Sequence, residues 1–373
     1  MLFQGRARFA DEVLIPRRSG RRRAPITFGS YGVGRARLDK GVWLDESHLV
    51  FRRLEVDGGG RTSAGIASSR DEPVADVAIE RSIFRNVGIG ILSPKASDSG
   101  WSISHNRIAR TGDSGLILLG SGFTVSDNKI LLTGSDPQIE YGKHGIYAKG
   151  ADMRIVGNRI EQFEDNGIST RYPDAVILNN RLSGGPIGVA YFQDAPSGGT
   201  TRIAGNVISG VDDAAIYVVG STAERFVIAS NSIRTSVGIG IHVKTVPDLT
   251  VANNLVTGIS KFVLAVDPPS SSYSEHHNLW FSAPDPPELS WGGDEQSLAG
   301  YRAVSGQGQG DLVADPRLRT GLSPRSTSPA IDAGTVDVSP LLVYRHACKR
   351  RPLRFCGASP DIGAVEYLKP RNR

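Results

Sequence analysis

The stretch Trp101-Ser102-Ile103-Ser104-His105-Asn106-Arg107-Ile108 decides the fold, because its core recurs along the chain. An asparagine followed two residues later by an aliphatic or aromatic residue occurs eight times: Asn106/Ile108, Asn128/Ile130, Asn158/Ile160, Asn180/Leu182, Asn206/Ile208, Asn231/Ile233, Asn254/Val256 and Asn278/Trp280. The steps are 22, 30, 22, 26, 25, 23 and 24 residues. A period in that range marks a solenoid, in which a repeat buries its apolar face only by stacking on its neighbours. Three residues before the first seven asparagines stands a β-branched residue: Ile103, Val125, Ile155, Ile177, Ile203, Ile228 and Val251.

Alternation around these positions predicts a short strand on either side of the asparagine. A second signal follows in most repeats, a small residue and then alternating apolar positions: Gly115-Leu116, Gly145-Ile146, Gly167-Ile168, Gly188-Val189, Ala215-Ile216 and Gly240-Ile241. Two or three short strands per repeat, with no helical stretch between them, predict an all-β fold, a single-stranded right-handed parallel β-helix. Its coils stack about 4.8 Å apart, so like residues form ladders. The asparagines are expected to form one, satisfying backbone groups at a turn.

The array is expected over 42–282, after an N-terminal segment 1–41 that leads into the first coil. Val50 to Val56 carries the strand pattern without the asparagine. From 283 to 373 the composition changes, and Leu298, Tyr301 and Val304 stand at helical spacing, predicting a short helix near 297–305 within a C-terminal capping segment.

Composition agrees with strand and turn: 373 residues, 44 of them glycine, with 7% aromatic and 39% hydrophobic. No run of about 18 apolar residues exists, so no membrane span is expected. Met1 to Ala10 has no apolar core of the kind a secretory signal needs, so the chain is expected to start after its signal or to leave by another route. The net charge of +5 gathers at Arg17, Arg18, Arg21, Arg22 and Arg23 and at Lys349, Arg350, Arg351 and Arg354. Solvated ends of a basic monomer are the expected reading, ahead of nucleic-acid binding. Cys348 and Cys356 close a short loop if they pair, which would suit an extracellular or cell-surface setting; two unpaired thiols are the alternative.

The outward positions of each coil's second strand form two columns. The first is Ile117, Tyr147, Ser169, Ala190, Tyr217, His242; the second is Leu119, Lys149, Arg171, Phe192, Val219, Lys244. Lys149 and Arg171 each precede an asparagine by nine residues, so they occupy the same place in successive coils. Two cations one coil apart repel, and arginine keeps its proton, so the lysine pKa is expected to drop. A lysine so placed is a base, and an arginine beside it neutralises a substrate carboxylate. That chemistry suits β-elimination from a uronate polymer, with Tyr147 or His144 protonating the leaving oxygen. Plain solvated surface charge is the competing reading.

Ser135 to Lys143 is an insertion expected to form a loop beside Lys149, with Tyr141, Lys143 and His144 at its end lining one wall of a groove. Tyr172, Phe192 and Tyr217 are candidate stacking partners for sugar faces, whereas Tyr191 is ambiguous in register. His242 and Lys244 are candidates to bind a more distant acidic sugar.

The chain resembles bacterial secreted right-handed parallel β-helix repeat proteins, with a pectate-lyase-like solenoid. The resemblance rests on Ala24 to Gly32, the Asn-x-Ile coils, and the segments Leu312 to Pro316, Ser328 to Gly334 and Asp361 to Tyr367. Lys149 and Arg171 on adjacent coils are similar to the Lys and Arg pair of the alginate lyase and chondroitinase B family of β-helix polysaccharide lyases. The resemblance implies Lys149 as base and Arg171 as acid or charge stabiliser on an acidic polysaccharide. That family also binds calcium near its pair through acidic and amide groups; no such cluster stands in these columns, so calcium stays an open option and no other cofactor is expected. Two further readings remain: a non-catalytic glycan-binding or surface-structural β-helix, and a glycoside hydrolase or uronate epimerase. The last is weakened because Lys143-His144-Gly145 is not Gly-His-Gly and the central coils lack Asp-Pro-His.

Overall fold

The computed structural model describes residues 1–69, 71–140, 142–193, 198–220, 224–258, 261–338 and 355–368. The chain divides into two compact units, Met1–Ala175 and Val176–Arg373. Each is a parallel β-helix.

In the first unit one sheet runs through Leu2–Gln4, Ile26–Tyr31, Leu49–Arg52, Val77–Glu80, Ser102–Ser104, Thr124–Ser126 and Arg154–Val156, each parallel to the next. The strands after each asparagine pair likewise, Arg107–Thr111 with Lys129–Thr133 and then with Arg159–Phe163. A further face carries Leu116–Leu118, Ile146–Ala148 and Asn166–Thr170. The second unit repeats the plan, from Val176–Leu178 through Gly199–Ala204, Glu224–Ala229 and Asp248–Ala252 to Ser272–His276.

The Asn-x-aliphatic signature has a backbone cause. The residue before each ladder asparagine turns the chain through the left-handed region: His105, Asp127, Asn179, Ser230, Asn253 and His277 have φ between 51 and 57°, and Gly157 and Gly205 fill the same place. Asparagine, aspartate, histidine and glycine tolerate that conformation best. The asparagine that follows then spans two coils. The Asn231 backbone N–H and Nδ2 both donate to Asn254 Oδ1 (3.0 and 2.9 Å), while Nδ2 also donates to the Ile203 carbonyl (2.9 Å). In the first unit the run begins at Ser82, whose N–H donates to Asn106 Oδ1, and in the second unit it ends at Asp311, whose Oδ1 accepts from the Asn278 N–H. Isoleucines before the turn, such as Ile103 and Ile228, are fully buried.

The small residue of the second signal is a packing demand. A Cβ on Gly145 would stand 2.5 Å from both the Gly167 carbonyl oxygen and Ile160 Cγ2, so nothing larger fits between those coils.

Parallel pairing also occurs outside 42–282. Parallel pairing already joins Leu2–Gln4 to Gly29–Tyr31, where strands exist without the asparagine that marks later coils. At the other end Leu279 and Trp280 pair with Leu312 and Val313, and Leu264–Val266 pairs with Leu289–Trp291. Between those additions lie an antiparallel hairpin, Glu288–Trp291 with Asp294–Ser297, and the helix Leu298–Ser305, whose N-cap Ser297 accepts from the Gly300 N–H. The terminal segments fold onto the last coils: Ile362 and Ala330 pack with Leu255 and Leu279, and the Ile362 N–H donates to the Ala330 carbonyl. Cys356 is disulfide-bonded, and Cys348 lies outside the described residues, as do Lys349, Arg350, Arg351 and Arg354. Arg17, Arg18, Arg21, Arg22 and Arg23 are exposed.

Candidate active site

Two neighbouring strands of the first unit build the site. Ile146, Tyr147 and Ala148 pair with Ile168, Ser169 and Thr170, and Lys149 and Arg171 are the residues that directly follow these paired strands. Ile146 and Ala148 point into the core and are fully buried, which turns Tyr147 outward, where it is half-buried. Lys149 and Arg171 are also half-buried, and the Lys149 N–H is anchored on the Leu118 carbonyl at 2.7 Å.

Tyr147 is the centre of the group. The Arg171 guanidinium carbon lies 5.6 Å from its ring centroid, a cation–π distance, and the His144 ring lies 5.2 Å away, tilted by 40°. His144 directly follows the insertion Ser135–Lys143 and is 3% exposed. Its Nδ1 is 3.4 Å from the Asn166 backbone nitrogen, 3.2 Å from Asn166 Nδ2 and 3.5 Å from Asp165 Oδ2.

Burial first, and then the Arg171 charge, lower the His144 pKa to about 4. The neutral ring therefore accepts from Asn166 through Nδ1 and carries its proton on Nε2, so the Asp165 contact is not an ion pair near neutral pH. Asp165 itself is pushed above the usual carboxylate range by burial, against the opposing pull of the Gly142 N–H and Arg171.

A cavity of about 230 Å³ opens beside this group, lined by Glu140, Gly142, Lys143, Glu164 and Asp165. Lys143 is 6% exposed and its Nζ donates to the Gly134 carbonyl at 3.3 Å, so it stands in the wall as a tethered cation. Tyr141 lies outside the described residues, and Tyr172 is half-buried just beyond Arg171.

The remaining candidates stand together in the second unit. Ala190, Tyr217 and His242 follow one another in register, as do Phe192, Val219 and Lys244, as the column reading expected. The alternation puts Tyr191 inside, fully buried with its hydroxyl on Glu224. Phe192 and Tyr217 meet edge to face at 5.4 Å, Tyr217 and His242 at 5.1 Å, and Lys244 Nζ lies 5.6 Å from the Tyr217 ring centroid. One coil on, Lys244 is in register with Asp267, whose Oδ2 is 3.5 Å from His242 Nε2.

Asp165, Asn166 and Asp267 were not picked out as partners of these groups from sequence. Asp165-Asn166 does stand directly before the Gly167-Ile168 signal, the place in its coil that Lys143-His144 holds before Gly145-Ile146. That shared position is the signal that could have found it.

Comparisons with solved structures bear on the fold. The chain is similar to pectate lyase Pel9A, with a TM-score of 0.51 and 16% identity over 98% of this chain and 84% of that one. It is similar to the PL6 family alginate lyase AlyGC, with a TM-score of 0.58 and 14% identity over 87% of this chain. It is also similar to the catalytic unit of a GH87 alpha-1,3-glucanase from Streptomyces thermodiastaticus, with a TM-score of 0.56 and 14% identity over 84% of this chain. The chain spans 52% of the alginate lyase chain and 63% of the glucanase chain. At these identities the likeness establishes a pectate-lyase-like β-helix. No curated protein sequence matches.

The family described as periplasmic copper-binding protein (NosD) matches residues 75–277. Copper favours clustered imidazole, thiolate and thioether ligands. Among the described residues no three or more His, Cys, Asp or Glu side chains are gathered to hold a metal. Met153 is buried in the core, Met1 is exposed, and Cys356 is in a disulfide. The imidazoles of His276 and His277 approach through Nδ1 at 3.1 Å, a pair rather than a ligand set. The described residues therefore do not fit a resident copper ion. With more than half of its length matched, the chain belongs to the NosD family of β-helix proteins.

Proposed function

We propose that this protein is a carbohydrate-active β-helix that cleaves a uronate-containing polysaccharide by β-elimination at Lys149, Arg171 and Tyr147. One observation carries the reading: Lys149 and Arg171 each directly follow one of two paired strands on adjacent coils, beside an outward tyrosine whose ring lies 5.6 Å from the guanidinium. In the proposed reaction the Arg171 guanidinium neutralises the substrate carboxylate, which makes the adjacent C5 proton more acidic. The Lys149 amine takes that proton, and the C5–H electrons form the C4–C5 double bond as the C4–O bond breaks. The leaving oxygen takes the phenolic proton of Tyr147, and solvent resets both groups.

Tyr147 suits the acid role better than His144. The imidazole is 3% exposed and neutral near pH 7, so its contribution is to hold the tyrosine ring. Lys143 and the loop before it form the wall of the cavity, and Tyr172 stands beside Arg171 as a candidate contact for the sugar. The family's description as periplasmic, together with the disulfide at Cys356, supports a compartment outside the cytoplasm.

The test is the ultraviolet absorbance of unsaturated uronate ends released from alginate, pectate and glycosaminoglycans. Lys149→Ala is expected to lower the rate by about 10²–10⁴-fold, the range of a lost general base. Unsaturated products made equally fast by Lys149→Ala and the parent would overturn the assignment.

A further inference from the structure

The second unit carries a polar and aromatic group that the elimination chemistry does not use. Phe192, Tyr217 and His242 present a run of three aromatic rings with successive centroids 5.4 and 5.1 Å apart. Beside them stand Lys244 and Asp267, in register on neighbouring coils.

Its charge argues against the acidic sugar that Lys244 and His242 first suggest. Burial, and next the Lys244 charge, lower the His242 pKa, so the imidazole is uncharged near neutral pH. Charges of both signs act on it, Lys244 on one side and Asp267 and Asp213 on the other. A uronate would therefore meet carboxylates as well as a cation there.

Hydrogen bonding points the same way. His242 Nε2 and Asp267 Oδ1 are both shielded from solvent and lack hydrogen-bond partners among the described residues. The 3.5 Å between Nε2 and Asp267 Oδ2 is too long to satisfy either group well. The two side chains are 15 and 29% exposed, and a hydroxyl that enters as they part can accept from the imidazole N–H and donate to the carboxylate. Aromatic rings beside such a pair supply the flat apolar surface that the C–H face of a pyranose covers.

We propose that Phe192, Tyr217, His242, Lys244 and Asp267 form a sugar-binding site for a neutral hexopyranose. The site is independent of the β-elimination reading, because binding is measured without turnover.

The experiment measures binding of the full chain to short oligosaccharides of neutral glucan, galactan and mannan, and to oligogalacturonate, by calorimetry and by affinity electrophoresis. At least one neutral ligand is expected to bind, with affinity unchanged in molar salt. Tyr217→Ala is expected to weaken it at least tenfold. Asp267→Asn, which keeps the side-chain shape and so guards against a folding defect, is expected to do the same with an unaltered melting temperature. Lys149→Ala is expected to bind as the parent does. Failure of all three neutral ligands to bind overturns the proposal, as does binding confined to oligogalacturonate and abolished by salt. Neutral-sugar binding that survives both Tyr217→Ala and Asp267→Asn overturns it as well.

Discussion

His144 shows how burial decides a side chain's part. In water an imidazole titrates near neutrality, but here burial and the nearby Arg171 charge lower its pKa to about 4. The folded state thus binds the His144 proton less readily than the unfolded chain. Its stability contribution is complete above the unfolded pKa of about 6.5 and is lost as pH falls towards 4. The full shift corresponds to up to about 3 kcal/mol. Denaturant unfolding at pH 7 and pH 4.5 is expected to show a larger acid loss for the parent than for His144→Gln. Equal losses would show that the imidazole titrates normally. Tyr147→Phe separates the neighbouring roles, because it keeps the ring under Arg171 and deletes the acid. It is expected to lower kcat by about 10²-fold or more with KM nearly unchanged, measured by the same absorbance of unsaturated ends.

The asparagine ladder extends the reasoning to an element. Asn231 is fully buried and accepts from the Asn206 N–H and Nδ2 while donating to Asn254 and to the Ile203 carbonyl. Asn231→Ala removes the side-chain partner of two backbone groups, the Asn206 N–H and the Ile203 carbonyl, each worth about 1–3 kcal/mol when left unpaired. A loss of about 3 kcal/mol or more is expected from the denaturant midpoint, and a loss under about 1 kcal/mol would mean that the ladder is ornamental. Where the ladder ends, the chemistry changes. Asp311 accepts from the Asn278 N–H and from Trp280 Nε1, and Glu275 accepts from Asn278 Nδ2. Burial, and then the adjoining Asp311 charge, push Glu275 well above the usual carboxylate range. The folded state here holds a proton that the unfolded chain releases, so stability is present at low pH and falls as pH rises above about 4.5. Hydrogen exchange in Leu298–Ser305 and around Asp311 is expected to quicken with pH beyond its intrinsic dependence. Glu275→Gln, which keeps a donor for Asp311, is expected to remove that excess.

At the scale of the molecule, legibility follows periodicity. The asparagine steps carried the register, so Ile117 beside Tyr147, Tyr147 beside Ser169, and Tyr217 beside His242 were all readable from spacing. Asp165 and Asn166 were not, because they bear on His144 from the turn before a strand and from that strand's first residue, where alternation predicts no direction. The extent of the array is harder to read for a related reason. Coils near Leu2 and Leu312 keep the parallel pairing but have no asparagine to mark them. What closes the array is chemically distinct from what builds it, and this gives the last prediction. Ala330 and Ile362 are fully buried against Leu255 and Leu279, covering apolar side chains that a bare last coil would expose. A solenoid end left open offers both that surface and unpaired strand edges to another chain. Ile362→Asp puts an unpaired carboxylate into the cluster and is expected to cost about 3–5 kcal/mol. The parent is expected to run as a monomer in light-scattering chromatography, and the variant as concentration-dependent oligomers. A variant that stays monomeric with the parent's melting temperature would mean that the terminal segment is not the cap.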